Sequence, residues 1–418
     1  MLLLVVSRVL LFALAVLGLK SLVWRAVSFA VVACLVIADI PGNLPGNGYC
    51  DYVWGISVGV VVLEAMRYLL LTRPLEEFRR ESDKIPAYQL PFVQRYFWLI
   101  NISHRGIGWT FKDDRHIPVD PRYHTRGAFI VSRLLMALAY YCLFDVARLY
   151  TRANPVFSTG ASLASQGYIL RCLNIIAFSS HPYALIYITH CLCAVIAIAI
   201  NLYEPPTWPH PFGHWKDAYT IRRFWGRTWH QLCRYLLTIF GPHRHNRRPW
   251  DENPSVDPST RGPKEPWSKS YLRLCIAFVC STLLHVTGDA PLQFRIWEKP
   301  LPAGILATGK VYHPFVIGVS APFFLFQPLG VLVEDAVIEV GKRMGVKTGT
   351  RTKLIGYVWV WVWMSISTVS SLDGLKDAVQ IASPMPGWGG GPTIIECVVG
   401  KVLGVDLLSL VSSWFAGL

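Results

Sequence analysis

The chain has 418 residues, 53% of them hydrophobic and only 16% charged, with a mean hydropathy of +0.37. Soluble domains carry nearer ~25% charged residues, and apolar runs long enough to cross a membrane recur from end to end, so the composition excludes a soluble multidomain protein and points to one all-α, polytopic bundle of membrane helices. The net charge of +14 comes from basic residues scattered between apolar runs, without a basic domain or nucleic-acid motif, which sets nucleic acid aside and leaves the lipid bilayer and an anionic substrate as partners.

The first apolar run, 1–19, holds a single arginine, Arg8, and a second, 22–38, follows almost at once. Ala13-Leu14-Ala15 would suit signal cleavage, but a retained hairpin of helices is the expected form. Further runs of membrane-helix length occupy 53–71, 129–149, 182–202, 271–286, 315–332, 354–371 and 394–415, giving about nine spans within a range of eight to ten. Segment 166–179 is shorter, carries Arg171, and reads as interfacial or re-entrant. The resulting organisation is N-terminal membrane helices over 1–72, a basic loop over 73–127, and a membrane core over 128–418 that includes a second polar loop, 203–270.

Stretches 73–126 and 203–269 together hold 21 of the 40 Lys and Arg residues. Basic loops favour the cytoplasmic side, and the two spans between these return the chain to the same face. The same count puts 341–353 on that face and the GWGGGP stretch, 387–392, on the other. The 10 cysteines are scattered and include no CxxC pair, so neither a disulfide framework nor a zinc site is indicated.

The second polar loop is rich in Trp, His and Arg, and its centre, IRRFWGRTWHQLCRYLLTIF at 221–240, predicts an amphipathic helix at the membrane surface. On such a helix Arg223, Arg227, His230 and Arg234 share one face, while Trp225, Trp229, Leu232 and Leu236 share the other. A basic face can simply rest on anionic headgroups. Alternatively, the three guanidinium groups clamp phosphates bidentately, as a diphosphate-bearing donor such as coenzyme A would require.

His285, in CSTLLHVTGD, ends an apolar span with Ser281 and Thr282 one turn back on its face. An ionisable side chain there is a functional candidate, and a neutral imidazole can take a proton from an alcohol. His190, inside another span, reads as a histidine that bonds a neighbouring helix. His210, His214, His243 and His245 raise the alternative of a di-iron membrane oxidase. Pro209 and Pro211 oppose the helix that would align the first pair, and no third cluster of paired histidines occurs. Asp113-Asp114 forms no diphosphate-binding box of the prenyltransferase kind, and paired broken helices of a transporter are missing.

FWGRTWHQ at 224–231 strongly resembles the signature of wax synthase-like enzymes in the membrane-bound O-acyltransferase superfamily, particularly fungal members that acylate terpenoid natural products. RGIGW at 105–109, STLLHVTGD at 281–289 and FFLFQPLGVLVEDAV at 323–337 agree, in the same order. Plant wax synthases carry Asn where this chain has His230, and a histidine can still donate one hydrogen bond to a thioester carbonyl. The resemblance implies a bundle of membrane helices around a substrate tunnel, in an endoplasmic-reticulum membrane. His285 matches the proposed catalytic histidine, His230 with Trp229 would position the thioester, and Trp225 and the three arginines would bind the donor. No metal or resident cofactor is implied, only acetyl-CoA or another acyl-CoA as cosubstrate and a hydrophobic alcohol as acceptor. A long-chain wax or sterol ester synthase is the alternative within the class.

Overall fold

The computed structural model describes residues 2–42, 47–101, 106–109, 123, 125–238, 266–298, 319–382 and 391–417. Among them there is no strand, only an isolated bridge between Arg80 and Trp109. In hydrocarbon every backbone N–H and C=O must be satisfied within its own segment, and the apolar runs accordingly fold as helices. Helices α1 (Leu2–Val16) and α2 (Leu22–Gly42) form the expected hairpin. Helix α3 (Gly48–Ala65), capped by the Asn47 side chain, runs on into a π-turn at Met66–Leu71. The carbonyls that this turn leaves open are taken by Arg25, which donates to Leu69 O (2.6 Å), Leu70 O (2.8 Å) and Thr72 O (2.9 Å). A short helix α4 (Phe92–Ile100) lies in the first polar loop.

The rest of the bundle comprises α5 (Arg126–Ala153), α6 (Tyr168–Ala199), α7 (Trp267–Glu298), α8 (Ala321–Arg343), α9 (Thr350–Ser367), α10 (Val369–Ala382), α11 (Ile394–Leu403) and α12 (Leu407–Ala416). Large apolar side chains such as Leu134, Leu135 and Leu138 of α5 face outward. Charged and polar groups such as Arg133, Asp145 and Asn174 are buried inside. This distribution suits a lipid solvent.

Among the described residues five helices have the length and apolarity to cross a membrane, and α9 with α10, bent by 45°, makes a sixth if counted as one span. The expected nine are fewer for identifiable reasons. Helix α1 has 15 residues. Of run 315–332, residues 315–318 lie outside the described part and 321–332 form the first half of α8, whose second half carries Glu334, Asp335, Glu339, Lys342 and Arg343. Run 394–415 breaks at Gly404, which adopts φ 64° and stops α11 after ten residues. Segment 166–179 is no separate interfacial helix: it continues through Pro182 as the first part of α6, Pro being tolerated where neighbouring helices re-satisfy the backbone.

The two polar loops meet at one end of the bundle. Arg126 donates to Tyr203 O and Glu204, both at 2.9 Å, and Tyr203 Oη donates to Asn101 Oδ1 at 2.5 Å. At the other end of α5, Arg148 donates to Gly391 O at 3.0 Å and Asp145 accepts from Ile394 N and Ile395 N at the start of α11. Gly391 of the GWGGGP stretch therefore sits away from the polar loops, as expected; residues 387–390 lie outside the described part.

Helices α3 and α7 pack closely, and small residues are the reason. A Cβ on Gly55 would lie 2.0 Å from Thr287 O, one on Gly59 would lie 2.3 Å from Thr287 Oγ1, and one on Gly288 would lie 2.9 Å from the Tyr52 ring. This approach sets the geometry around His285.

Candidate active site

The predicted amphipathic helix over 221–240 does not form, and residues 239–240 lie outside the described part. One helical turn, Ile221–Arg223, passes into a π-turn, Phe224–Thr228, then a 3-10 turn at Gln231–Cys233 and a last α-turn at Arg234–Leu237. His230 sits between them in the left-handed region (φ 30°, ψ 73°), one of two non-glycine residues with positive φ among those described. Gly226, Thr228 and three aromatics are weak helix formers, and segment 208–214 takes the backbone groups that a helix would use. Gly213 N donates to Thr228 O at 2.9 Å and Gln231 N donates to Pro211 O at 2.8 Å. A side chain at Gly213 would meet Arg227 O at 1.8 Å.

Neighbouring helices clamp both ends of this loop. Glu334 of α8 accepts from Ile221 N (2.6 Å) and Arg222 N (3.3 Å), and Asp335 accepts from Arg222 (2.6 Å) and Tyr271 Oη (2.5 Å). At the other end Arg67 donates to Tyr235 O at 2.6 Å with its guanidinium over the Tyr235 ring. Arg234 donates to the carbonyl of Gly226, bracing the loop from within.

The loop forms one wall of a cavity of about 1620 Å³ bounded also by α3, α6, α7, α8, α9 and α10. Trp225, Trp229, His230, Arg234 and His285 all line it. Arg223 does not share their face: it lies 3.5 Å from Asp217 and over the Tyr219 ring. The loss of helical periodicity accounts for the difference. Arg222 and Arg273 line the cavity instead, and the sequence reading singled out neither. Arg273 stands twelve residues before His285 on α7, about 18 Å along the helix axis, so the cavity runs from a basic end by the polar loops to the half-buried histidine.

His285 is held on two sides. Phe324 of α8 stacks on its ring (4.1 Å between centroids, 18° between planes) and Tyr52 Oη lies 2.7 Å from its Nδ1, while His230 lines the same cavity. Trp225 packs edge-on against Phe278 and Phe323 at 5.8 and 5.9 Å and tilted against Phe324 at 6.0 Å. Buried Gln327 fixes that indole, its Oε1 accepting from Trp225 Nε1 and Trp363 Nε1, each at 3.1 Å. Ser281 lines the cavity, whereas the Thr282 hydroxyl is spent on Phe278 O. Tyr52 had no motif to mark it; the small residues Gly55 and Gly59, one and two turns on, were the available signal.

The loop histidines are dispersed. His210 Nδ1 lies 3.3 Å from Arg133 and the His214 carbonyl accepts from Thr228 Oγ1. His243 and His245 lie outside the described residues, as do Asp113 and Asp114. Among the described residues no group of three or more His, Cys, Asp or Glu side chains could hold a metal ion. His190 is buried and meets the edge of Trp208.

Residues 208–301, which contain both the loop and His285, match the membrane bound O-acyl transferase family. Acetyltransferase ple2 of Rhodocybe pseudopiperita is 28% identical over 75% of this chain and 75% of its own length. Acetyltransferase eriL of Hericium erinaceus is 26% identical over 81% of this chain and 82% of its own, and O-mevalon transferase yanI of Aspergillus niger is 23% identical over 86% and 82%. No solved structure matches the chain.

Proposed function

We propose that the chain is an O-acyltransferase of the membrane-bound type found in fungal secondary metabolism and that it moves an acetyl group from acetyl-CoA to a hydroxyl of a terpenoid-type acceptor. The observation that carries this reading is the joining of a basic end, His230 and His285 along one cavity. Arg234 and Arg273 take the CoA phosphates, Arg222 is held by Asp335 and Arg227 lies in the same loop but not on the cavity wall, and the pantetheine arm reaches down the path from Arg273 towards His285. Arg223, already paired with Asp217, contributes least.

His285 acts as general base. Its Nε2 takes the proton of the acceptor hydroxyl as that oxygen attacks the thioester carbonyl, and a ring N–H of His230 stabilises the oxyanion of the tetrahedral intermediate. Collapse expels the CoA thiolate, which receives the proton from the His285 imidazolium, so that ester and free CoA leave with protons balanced. The aromatic box of Trp225, Phe278, Phe323 and Phe324 occupies volume beside His285 that a long acyl chain would need, which favours a short acyl group over the wax or sterol ester alternative. An endoplasmic-reticulum membrane as the setting, and the bilayer as the route of the acceptor, belong to the same proposal.

The test uses the purified protein in lipid nanodiscs, with release of free CoA thiol followed against a panel of polycyclic alcohols. Acceptor-dependent thiol release is expected, lowered ~10²–10⁴-fold in His285→Ala. A folded His285→Ala variant with near wild-type turnover overturns the assignment of the base.

A further inference from the structure

The aromatic box beside His285 is tied together by one amide. Gln327 lies on α8 one turn after Phe323 and Phe324 and is fully buried. Its Oε1 accepts from Trp225 Nε1 of the loop and from Trp363 Nε1 of α9, each at 3.1 Å, and its Nε2 donates to Phe323 O at 3.0 Å and lies 3.5 Å from Ser367 Oγ. An indole N–H only donates, so the atom between the two rings is the amide oxygen, and a flip of the amide would set donor against donor. Gly330, three residues on, leaves the room for this junction: a Cβ there would lie 2.4 Å from Trp363 Cε2 and 2.9 Å from Ile221 Cδ1. The glutamine and glycine of FFLFQPLG thus join the loop, α8 and α9 at one point.

We propose that Gln327 sets the length of acyl chain that the cavity admits, by tethering the Trp225 indole in the space beside His285; the proposal rests on the reading of the cavity as the site of a short-acyl transferase. Trp225 lines the cavity and Gln327 does not, so Gln327 is a positioning residue that acts through the indole. The indole meets Phe278, Phe323 and Phe324, and Phe324 is the ring that stacks on His285. Ring contacts tolerate offset and rotation, and by themselves would let the indole swing aside for a methylene chain. A buried N–H must keep its acceptor, and an oxygen shared between two indoles and held by its own amide leaves Trp225 one position.

Magnitudes favour the tether over the chain. Leaving an indole N–H unpaired in the interior disfavours that arrangement by about 5- to 150-fold. Each methylene admitted to an apolar site gains only about fourfold. The first methylenes of a longer donor therefore gain too little to displace the ring, and the acetyl group, which needs no displacement, is left as the preferred cargo.

The experiment measures kcat/KM for acetyl-, butyryl- and hexanoyl-CoA with one acceptor in nanodiscs, beside a melting curve for each variant. Gln327→Met keeps the length of the side chain and removes its polar atoms. It is expected to raise the hexanoyl-to-acetyl ratio of kcat/KM at least ~10-fold, within a ceiling of about 250-fold for four methylenes. Should two unpaired indoles prevent folding, Gln327→Met/Trp363→Phe removes one donor together with the acceptor and should show the same rise. Trp363→Phe alone keeps the bond to Trp225 and should raise the ratio less than either. In a Trp225→Ala background, where the box is already open, Gln327→Met should add less than about twofold. A ratio within about twofold of wild type in the folded variants lacking Gln327, or an equal gain in the Trp225→Ala background, would overturn the role of Gln327 while a wild type that prefers acetyl-CoA remains a short-acyl transferase. A glutamine that only supports the fold would lower turnover for every donor alike and leave the ratio unmoved. A wild type that prefers hexanoyl-CoA removes the short-acyl reading, and one that releases no thiol with any donor removes the acyltransferase; in both cases the role of Gln327 falls as well.

Discussion

Gly55→Ala adds one methyl group at the point where α3 and α7 come closest. The new Cβ would lie 2.0 Å from Thr287 O and 2.8 Å from Gly288 Cα, where ordinary contact begins at 3.4 Å. Both neighbours are backbone atoms, so no side-chain rotation relieves them, and the helices must part by about 1.4 Å (3.4 − 2.0). Tyr52 lies one turn before Gly55 on the same face. A parting of that size takes its hydroxyl from 2.7 Å to about 4 Å from His285 Nδ1, beyond hydrogen-bond range. Overpacking of this kind costs about 1–3 kcal/mol of stability, and displacing a catalytic group by about 1 Å can cost ~10²-fold in rate. Two further glycines calibrate the result. Gly59→Ala meets the Thr287 hydroxyl at 2.3 Å, a group that can turn, and Leu284 Cα at 3.3 Å; Gly349→Ala meets nothing within 4 Å. The expected order of kcat is therefore Gly349→Ala at wild type, Gly59→Ala below it, and Gly55→Ala lowest by about two orders of magnitude, measured as acceptor-dependent CoA release beside a melting curve. Folded Gly55→Ala protein with kcat within twofold of wild type would refute the argument that the close approach of α3 to α7 sets the catalytic geometry.

The donor end gives a second contrast: Arg273→Ala should raise the KM for acyl-CoA about tenfold with kcat nearly kept, whereas Arg223→Ala, whose partner is Asp217, should leave KM within about twofold; equal effects would restore a shared arginine face. In a donor series from acetyl- to palmitoyl-CoA, kcat/KM should fall with chain length, and Trp225→Ala should flatten the fall by opening the aromatic box; a rise towards palmitoyl-CoA in the wild type would transfer the reading to a wax or sterol ester synthase. Cys233 also lines the cavity, but burial pushes its thiol up to about 11, so at neutral pH it stays protonated and forms no acyl-enzyme; Cys233→Ala should retain turnover, and a trapped acyl-Cys233 would contradict this. Asn101, in the Asn101-Ile102-Ser103 sequon, bonds Tyr203 Oη at the end of the bundle where the basic loops meet and should stay free of glycan; a mass shift on glycosidase treatment that is abolished by Asn101→Gln would reverse the topology.

Much of this protein was legible before any fold was known, because a lipid solvent acts on composition directly. Apolar runs of sufficient length must be helices there, and Leu22–Pro41, Gly48–Leu71 and Arg126–Ala153 appear within a few residues of where hydropathy puts them. His285 stood out as a candidate, an ionisable group at the end of such a run, and four sequence blocks carried the family resemblance. What the chain alone could not supply was the local path of 221–238 and the partners of its histidines. Periodicity assumes that a segment satisfies its own backbone, but Pro211, Gly213 and Glu334, from segments before it and far after it, take up the groups that would have closed a helix. His230 was thereby turned into the left-handed region, and Arg223 was drawn away from the cavity to Asp217. Tyr52 joins His285 only because two glycines on one helix meet a Thr-Gly pair on another. The sequence by itself determined that apolar runs such as Leu22–Pro41 and Arg126–Ala153 are helices long enough to cross a membrane, and it singled out His285 as a candidate, since both follow from solvation of single residues and runs. Only the tertiary structure decided which groups surround that histidine, since such contacts depend on how closely two helices more than two hundred residues apart are able to pack.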